Sequence, residues 1–125
     1  MGDAARPKPW RGLEAPNFTP FPNQLLDELL SVLTPPQWKV VSFLARKTFG
    51  WAKRADRISL RQIVTGTGLS RRAVIAAVQA LEAARVVYVV RGLDDDGRTE
   101  TNLYGFVFAP QREGAFHAPP YARSE

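Results

Sequence analysis

Between Ser59 and Arg91 the sequence permits few arrangements. Ser59-Leu-Arg-Gln62 is a capping box: the serine hydroxyl accepts from the amide three residues on, and the glutamine reaches back to the serine amide. It opens a short helix, expected from Leu60 to about Thr65. Gly66-Thr-Gly68 breaks that helix, and its glycines are read as a sharp turn needing positive φ. The spacing is not that of a dinucleotide fingerprint or a phosphate loop. Ser70 caps a longer helix, Arg71 to Ala84, with Val74, Ala77, Val78 and Leu81 on one face. Val86-Val-Tyr-Val-Val-Arg91 is β-branched and aromatic and reads as a strand. Gly92 to Arg98 is a turn, with Asp96-Gly97 as its hairpin signal, and Thr99 to Phe108 returns as a second strand. A short helix, a glycine turn, a longer helix and a hairpin specify an α+β fold, mostly α. It is a winged helix-turn-helix of three to four helices with a C-terminal β-hairpin wing.

The upstream residues complete this unit. Pro22-Asn-Gln-Leu-Leu-Asp-Glu-Leu-Leu-Ser-Val-Leu33 reads as a helix, with Leu25, Leu26, Leu29, Leu30 and Leu33 buried. Asp27 and Glu28 are adjacent, point about 100° apart, and do not converge as an acid-base pair. Thr34-Pro-Pro-Gln37 is a second capping box with proline at the first helical position. It starts a helix to about Thr48, with Trp38, Val41, Leu44, Ala45 and Phe49 as its buried stripe. Trp51 to Arg57 forms a basic link, with a small strand near Arg57-Ile58. The ten prolines are absent from residues 37–109. That boundary, with the motifs, divides the chain into a flexible N-terminal arm (1–17), the winged-helix domain (18–108) and a flexible C-terminal tail (109–125).

Charge follows the same division. Residues 37–92 carry eleven Lys/Arg against Asp56 and Glu82, whereas both flanks are net acidic. Concentrated basic charge on a small domain favours a polyanion through phosphate contacts, although it also serves solubility as a solvated surface. The absence of cysteine excludes a disulfide framework and a thiol nucleophile. A single histidine, His117, gives no imidazole cluster. Asp94, Asp95 and Asp96 lack the spacing of a calcium loop. The expectation is therefore a protein that is not an enzyme and uses no metal or cofactor. No apolar run reaches the ~20 residues that span a bilayer, and the N-terminus carries no secretory signal, so a cytoplasmic location is expected.

The residues expected to meet DNA follow from the motif. Ser70, Arg71 and Arg72 begin the recognition helix, whose N-terminal end enters the major groove in this motif. Arginine pairs bidentately with guanine or grips phosphate. Ile75, Ala76 and Gln79 lie on the same outer face, suited to thymine methyls and adenine. Ser59, Arg61 and Gln62 open the supporting helix, and Lys53, Arg54 and Arg57 precede it; phosphate contacts are expected of them. Arg91 and Arg98 flank the hairpin turn, within reach of a minor groove, while the acidic tip stays off DNA. Trp38, Trp51, Tyr88, Tyr104, Phe106 and Phe108 admit two readings: core packing, which is favoured, or a stacking platform for single strands.

Several of these elements resemble one family. Phe18-Thr-Pro-Phe-Pro-Asn23, the leucine-rich helix, Lys47-Thr-Phe-Gly-Trp51, Asp56-Arg-Ile-Ser-Leu60, Thr67-Gly-Leu-Ser-Arg-Arg72, Leu81-Glu82 and Thr101-Asn-Leu-Tyr-Gly105 are similar to the N-terminal domain of the phage replication protein O family. The resemblance covers about residues 18–108 and implies a winged helix that binds repeated sites in a replication origin. Double-stranded DNA and the replication machinery of the host are the implied partners, with a homodimer on repeated sites compatible with either. Family members usually continue into a region that engages helicase loading; here about seventeen residues follow the wing. Ile75 and Ala76 stand where the family tends to carry polar or basic residues, which leaves room for a protein contact. A winged-helix transcriptional regulator and a winged helix used for protein-protein assembly stay open as alternatives.

Overall fold

The computed structural model describes residues 9–14, 17–92 and 101–110. Helix α1 spans Pro35–Lys47 and begins as its sequence dictates. The Gln37 amide donates to Thr34 Oγ1 at 3.4 Å, and the Thr34 amide donates to Gln37 Oε1 at 3.0 Å. Thr48 ends it, buried, with its hydroxyl donating to the Leu44 carbonyl at 2.7 Å. A single 3-10 turn, Phe49–Trp51, leads through left-handed Ala52 into strand β1, Ala55–Ser59. Ser59 closes the strand and caps α2, Leu60–Thr67, through a second complete capping box. The Ser70 hydroxyl accepts from the Ala73 amide at 3.0 Å and caps α3, Arg71–Ala83. Strands β2, Val87–Val90, and β3, Thr101–Phe106, complete an antiparallel sheet ordered β1-β3-β2.

The core lies between α1, α3 and one face of this sheet. Val40, Val41, Leu44 and Ala45 of α1 join Ile63 of α2 and Val74, Ala77, Val78 and Leu81 of α3. Ile58, Val87, Tyr104 and Phe106 close it from the strands, and the Phe106 ring stacks on Phe49 at 5.2 Å. The α3 stripe is the one its spacing requires. In α1, Val40 is buried and Trp38 only half-buried, set edge-on against Phe21 at 5.9 Å. The α+β winged-helix arrangement stands, with the small strand near Arg57-Ile58 built into the sheet. β1 pairs along its whole length with β3, Ala55 opposite Gly105 and Ser59 opposite Thr101.

Two local expectations change. The leucine-rich segment is not a regular α-helix. After Asn23 and Gln24 it forms one π-helical turn, Leu25–Leu29, which leaves Leu26 41% and Leu30 53% exposed. Five leucines are more than one face of a two-turn segment can bury. Leu25 and Leu33 keep contact with the core, while the neighbouring row faces water. Helix α2 also runs two residues past Thr65, through Gly66, so only Gly68 adopts the positive φ (+76°) expected of both glycines. Gly66 serves packing instead: a Cβ there would stand 2.0 Å from Phe43 Cε1 on α1. Helix α3 ends without a glycine. Left-handed Arg85 donates to the Glu82 carbonyl and Val86 to the Leu81 carbonyl, which closes a Schellman motif.

The two glycines therefore make different predictions. Gly66→Ala should destabilise by about 1–3 kcal/mol through overpacking, despite the better helix propensity of alanine. Exchanging Phe43 for leucine in that background should recover part of the loss. Gly68→Ala should cost about 1 kcal/mol through its φ alone and gain nothing from the Phe43 exchange. Urea unfolding of the single and double variants checks both, by the coupling term of a double-mutant cycle.

Candidate nucleic-acid interface

Burying Val74, Ala77, Val78 and Leu81 turns the rest of α3 outward. Arg71, Ile75 and Gln79 recur every four residues and form one exposed row; Arg72 and Ala76 form the next. The first row borders a groove of about 190 Å³ between α3 and the sheet. Its other walls are Leu60 at the start of α2, Asn102 and Tyr104 on β3, and Arg91 just past β2. Four expected site residues, Arg71, Ile75, Gln79 and Arg91, are thereby brought together from two elements. Ile75, 39% exposed, gives the groove an apolar patch between the arginines.

The capping residues are committed but not exhausted. Ser70 Oγ accepts from Ala73, which leaves its own O–H to donate. Ser59 is in the same position, its Oγ accepting from the Gln62 amide at 3.0 Å. The Gln62 carbonyl oxygen accepts from the Ser59 amide at 2.8 Å, so its NH₂ group is what remains to donate outward. Arg61 is exposed beside it, and Arg57 is exposed on β1. Arg57, Ser59, Arg61 and Gln62 lie where β1 passes into α2, toward the Ser59–Thr101 end of the sheet. Lys53 and Arg54 lie beyond the other end of β1. Lys53 Nζ pairs with Asp56 at 3.1 Å, and the Arg54 guanidinium lies 4.8 Å from the centre of the Phe108 ring. Arg98 and the wing-tip acids Asp94–Asp96 fall outside the described residues.

Arg91 is held, not simply displayed. Both of its terminal nitrogens donate to the Glu82 carboxylate, at 2.7 and 3.0 Å, in a two-point clamp. That hydrogen bonding holds the Glu82 carboxyl below its ordinary range and raises the Arg91 guanidinium. The clamp ties the last turn of α3 to the base of the wing. Glu82 and Asn102 were not assigned to the site from sequence. Both stand in segments singled out for other reasons, and only the sheet register places Asn102 opposite Ile58, on the groove side.

A lowered carboxyl stabilises above its unfolded range and loses that contribution as pH falls through its folded value. Both partners are partly exposed, so the effect is at most about 1 kcal/mol. Glu82→Gln should lower neutral-pH stability by no more than that. The unfolding curves of the two proteins should converge in acid; a gap that persists unchanged at low pH contradicts the assignment.

Among the described residues, no three His, Cys, Asp or Glu side chains are placed to hold a metal ion, and no helix is long and apolar enough to cross a membrane. No curated protein and no solved structure matches the chain. A family model described as bacteriophage replication protein O does match, over residues 15–103 of the 125. That span takes in all three capped helices, β1 and β2, and every residue lining the groove between α3 and the sheet except Tyr104. By this match the chain belongs to the bacteriophage replication protein O family, whose work is phage DNA replication.

Proposed function

We propose that this protein binds double-stranded DNA sequence-specifically, at repeated sites of a phage replication origin. The observation that carries the reading is the outward face of α3. Arg71 and Arg72 stand at its capped N-terminal end, with Ile75, Ala76 and Gln79 one and two turns on. Insertion of this end into the major groove offers two guanidinium forks, an amide and two apolar groups to base edges. Ser59, Arg57, Arg61 and Gln62 are then positioned to grip phosphate through donors alone, which sets register without reading sequence. Arg91, fixed by Glu82 at the base of the wing, and Asn102 face the flanking minor groove or sugar-phosphate edge.

The family assignment favours replication over transcription as the setting. It also suits a second, protein-facing surface, for which Leu26, Leu30 and Val32, exposed in the segment that carries Asp27 and Glu28, are available. That segment is where a second copy on a repeated site, or host replication machinery, would bear.

Fluorescence anisotropy with a duplex selected from a random pool tests the duplex reading. Arg71→Ala and Arg72→Ala should each lower affinity roughly 5- to 150-fold. Wild-type affinity should fall steeply as salt rises, and removing a phosphate-gripping arginine such as Arg61 should reduce the slope of log K against log salt by about 1. Unchanged affinity in both α3 variants, or a flat salt dependence, contradicts it.

A further inference from the structure

Trp51 has no packing reason to be where it is. The chain holds Thr48 buried by its bond to Leu44 and Phe49 by its stack on Phe106, yet leaves the indole of Trp51 62% exposed. A ring of this size usually contributes most when buried. Its backbone is nonetheless fixed: the Trp51 and Lys53 amides both donate to the Thr48 carbonyl at 2.9 Å, and the Ala52 amide donates to Phe49 at 3.0 Å. A second exposed ring meets the same 3-10 turn through Phe49, two residues before Trp51. Phe108, 43% exposed, sits edge-on to Phe49 at 6.5 Å and is thereby anchored to the core. Each exposed ring carries a guanidinium: Arg46 at 5.6 Å over Trp51, Arg54 at 4.8 Å over Phe108. Residues 46–54 contain four cations, Arg46, Lys47, Lys53 and Arg54, of which Lys53 is paired with Asp56, while Glu28 lines a pocket with Phe108.

Rigid, solvent-facing rings set among arginines are what unpaired bases stack on while cations meet the backbone phosphates. A duplex cannot use such rings, because its base faces are already stacked. The surface also lies apart from the α3 groove. It sits beyond the Ala55–Gly105 pair, and neither Trp51 nor Phe108 lines the groove, whose nearest wall is Tyr104, opposite Asp56. The length of β1, about 13 Å at ~3.3 Å per residue, separates this surface from the α2 cap at Ser59. We propose that Trp51 and Phe108, with Arg46 and Arg54, form a second nucleic-acid site that takes single-stranded DNA by base stacking. This surface does not depend on the duplex reading. With both sites present, one molecule would hold an unpaired strand beside a recognised duplex.

The test uses the full chain and a labelled oligothymidylate of roughly 16 nucleotides, which cannot pair with itself. Anisotropy at low salt should show binding that survives saturating unlabelled duplex. Trp51→Ala should weaken it roughly 5- to 150-fold. Trp51→Phe should retain most of it, and duplex affinity should change less than about twofold in either variant. If Trp51→Ala proves unstable, the wild-type competition decides by itself: displacement of the oligothymidylate by duplex places both on one site and overturns the proposal. Absence of oligothymidylate binding, or equal affinity of wild type and Trp51→Ala, overturns it as well. So does a patch that binds polyglutamate in place of the oligonucleotide. Loss of duplex binding in Arg71→Ala with oligothymidylate binding intact keeps the two assignments separate. Duplex binding that ignores Arg71 and Arg72, with a Trp51-dependent single-strand site, would sink the first alone.

Discussion

The contact of α1 with α3 decides what the rest of the molecule can present. Val40, Val41, Leu44 and Ala45 share one core with Val74, Ala77, Val78 and Leu81, and the outward rows of α3 are what that core leaves over. Fully burying a leucine or valine is worth about 1.5–3 kcal/mol, whereas a partly exposed ion pair such as Arg91–Glu82 is worth at most about 1. Stability therefore comes from the apolar seam. The ion pair is better understood as a device for position: it sets the base of the wing against the last turn of α3 and gives the groove its second wall.

The two proposed surfaces are laid out along the sheet in a way the helices alone do not reveal. β1 is short, but it separates two basic surfaces of different character. Toward Ser59 the donors are arginines, hydroxyls and amides around a helix end, with few rings, suited to the outside of a duplex. Toward Ala55 the cations lie over aromatic rings, suited to bases that have lost their partners. The same five-residue strand carries Arg57 in its middle and passes into α2 without a loop.

Much of the fold could be read from local chemistry. Both capping boxes formed with the partners their spacing names, because each needs only four consecutive residues. The α3 stripe was legible because helical period and burial agree there. What could not be read depends on contacts distant in sequence. Gly66 looked like a turn residue, but its requirement is the Phe43 ring on another helix. The leucines before Thr34 looked like one buried face, but the core had room for only some of them. The α3 end used arginine in a left-handed position where glycine would have announced it. The site shows the same split. The α3 row followed from periodicity, whereas Glu82, Asn102 and the pairing of Arg54 with Phe108 required the sheet register. Of the six aromatic residues read as core, Tyr104 and Phe106 are buried and Trp38 half-buried, while Trp51, Tyr88 and Phe108 face water. Strand and turn positions near a sheet end do not reveal from spacing which side is covered.

On the proposed function, the outward face of α3 and the start of α2 form the surface that meets duplex DNA. Chemical-shift mapping of the backbone amides during titration with a selected duplex tests it directly. The largest changes should fall on residues 59–62, on 70–79 and on Arg91. Changes concentrated instead on Leu26, Leu30 and Val32, with residues 70–79 unmoved, would contradict it.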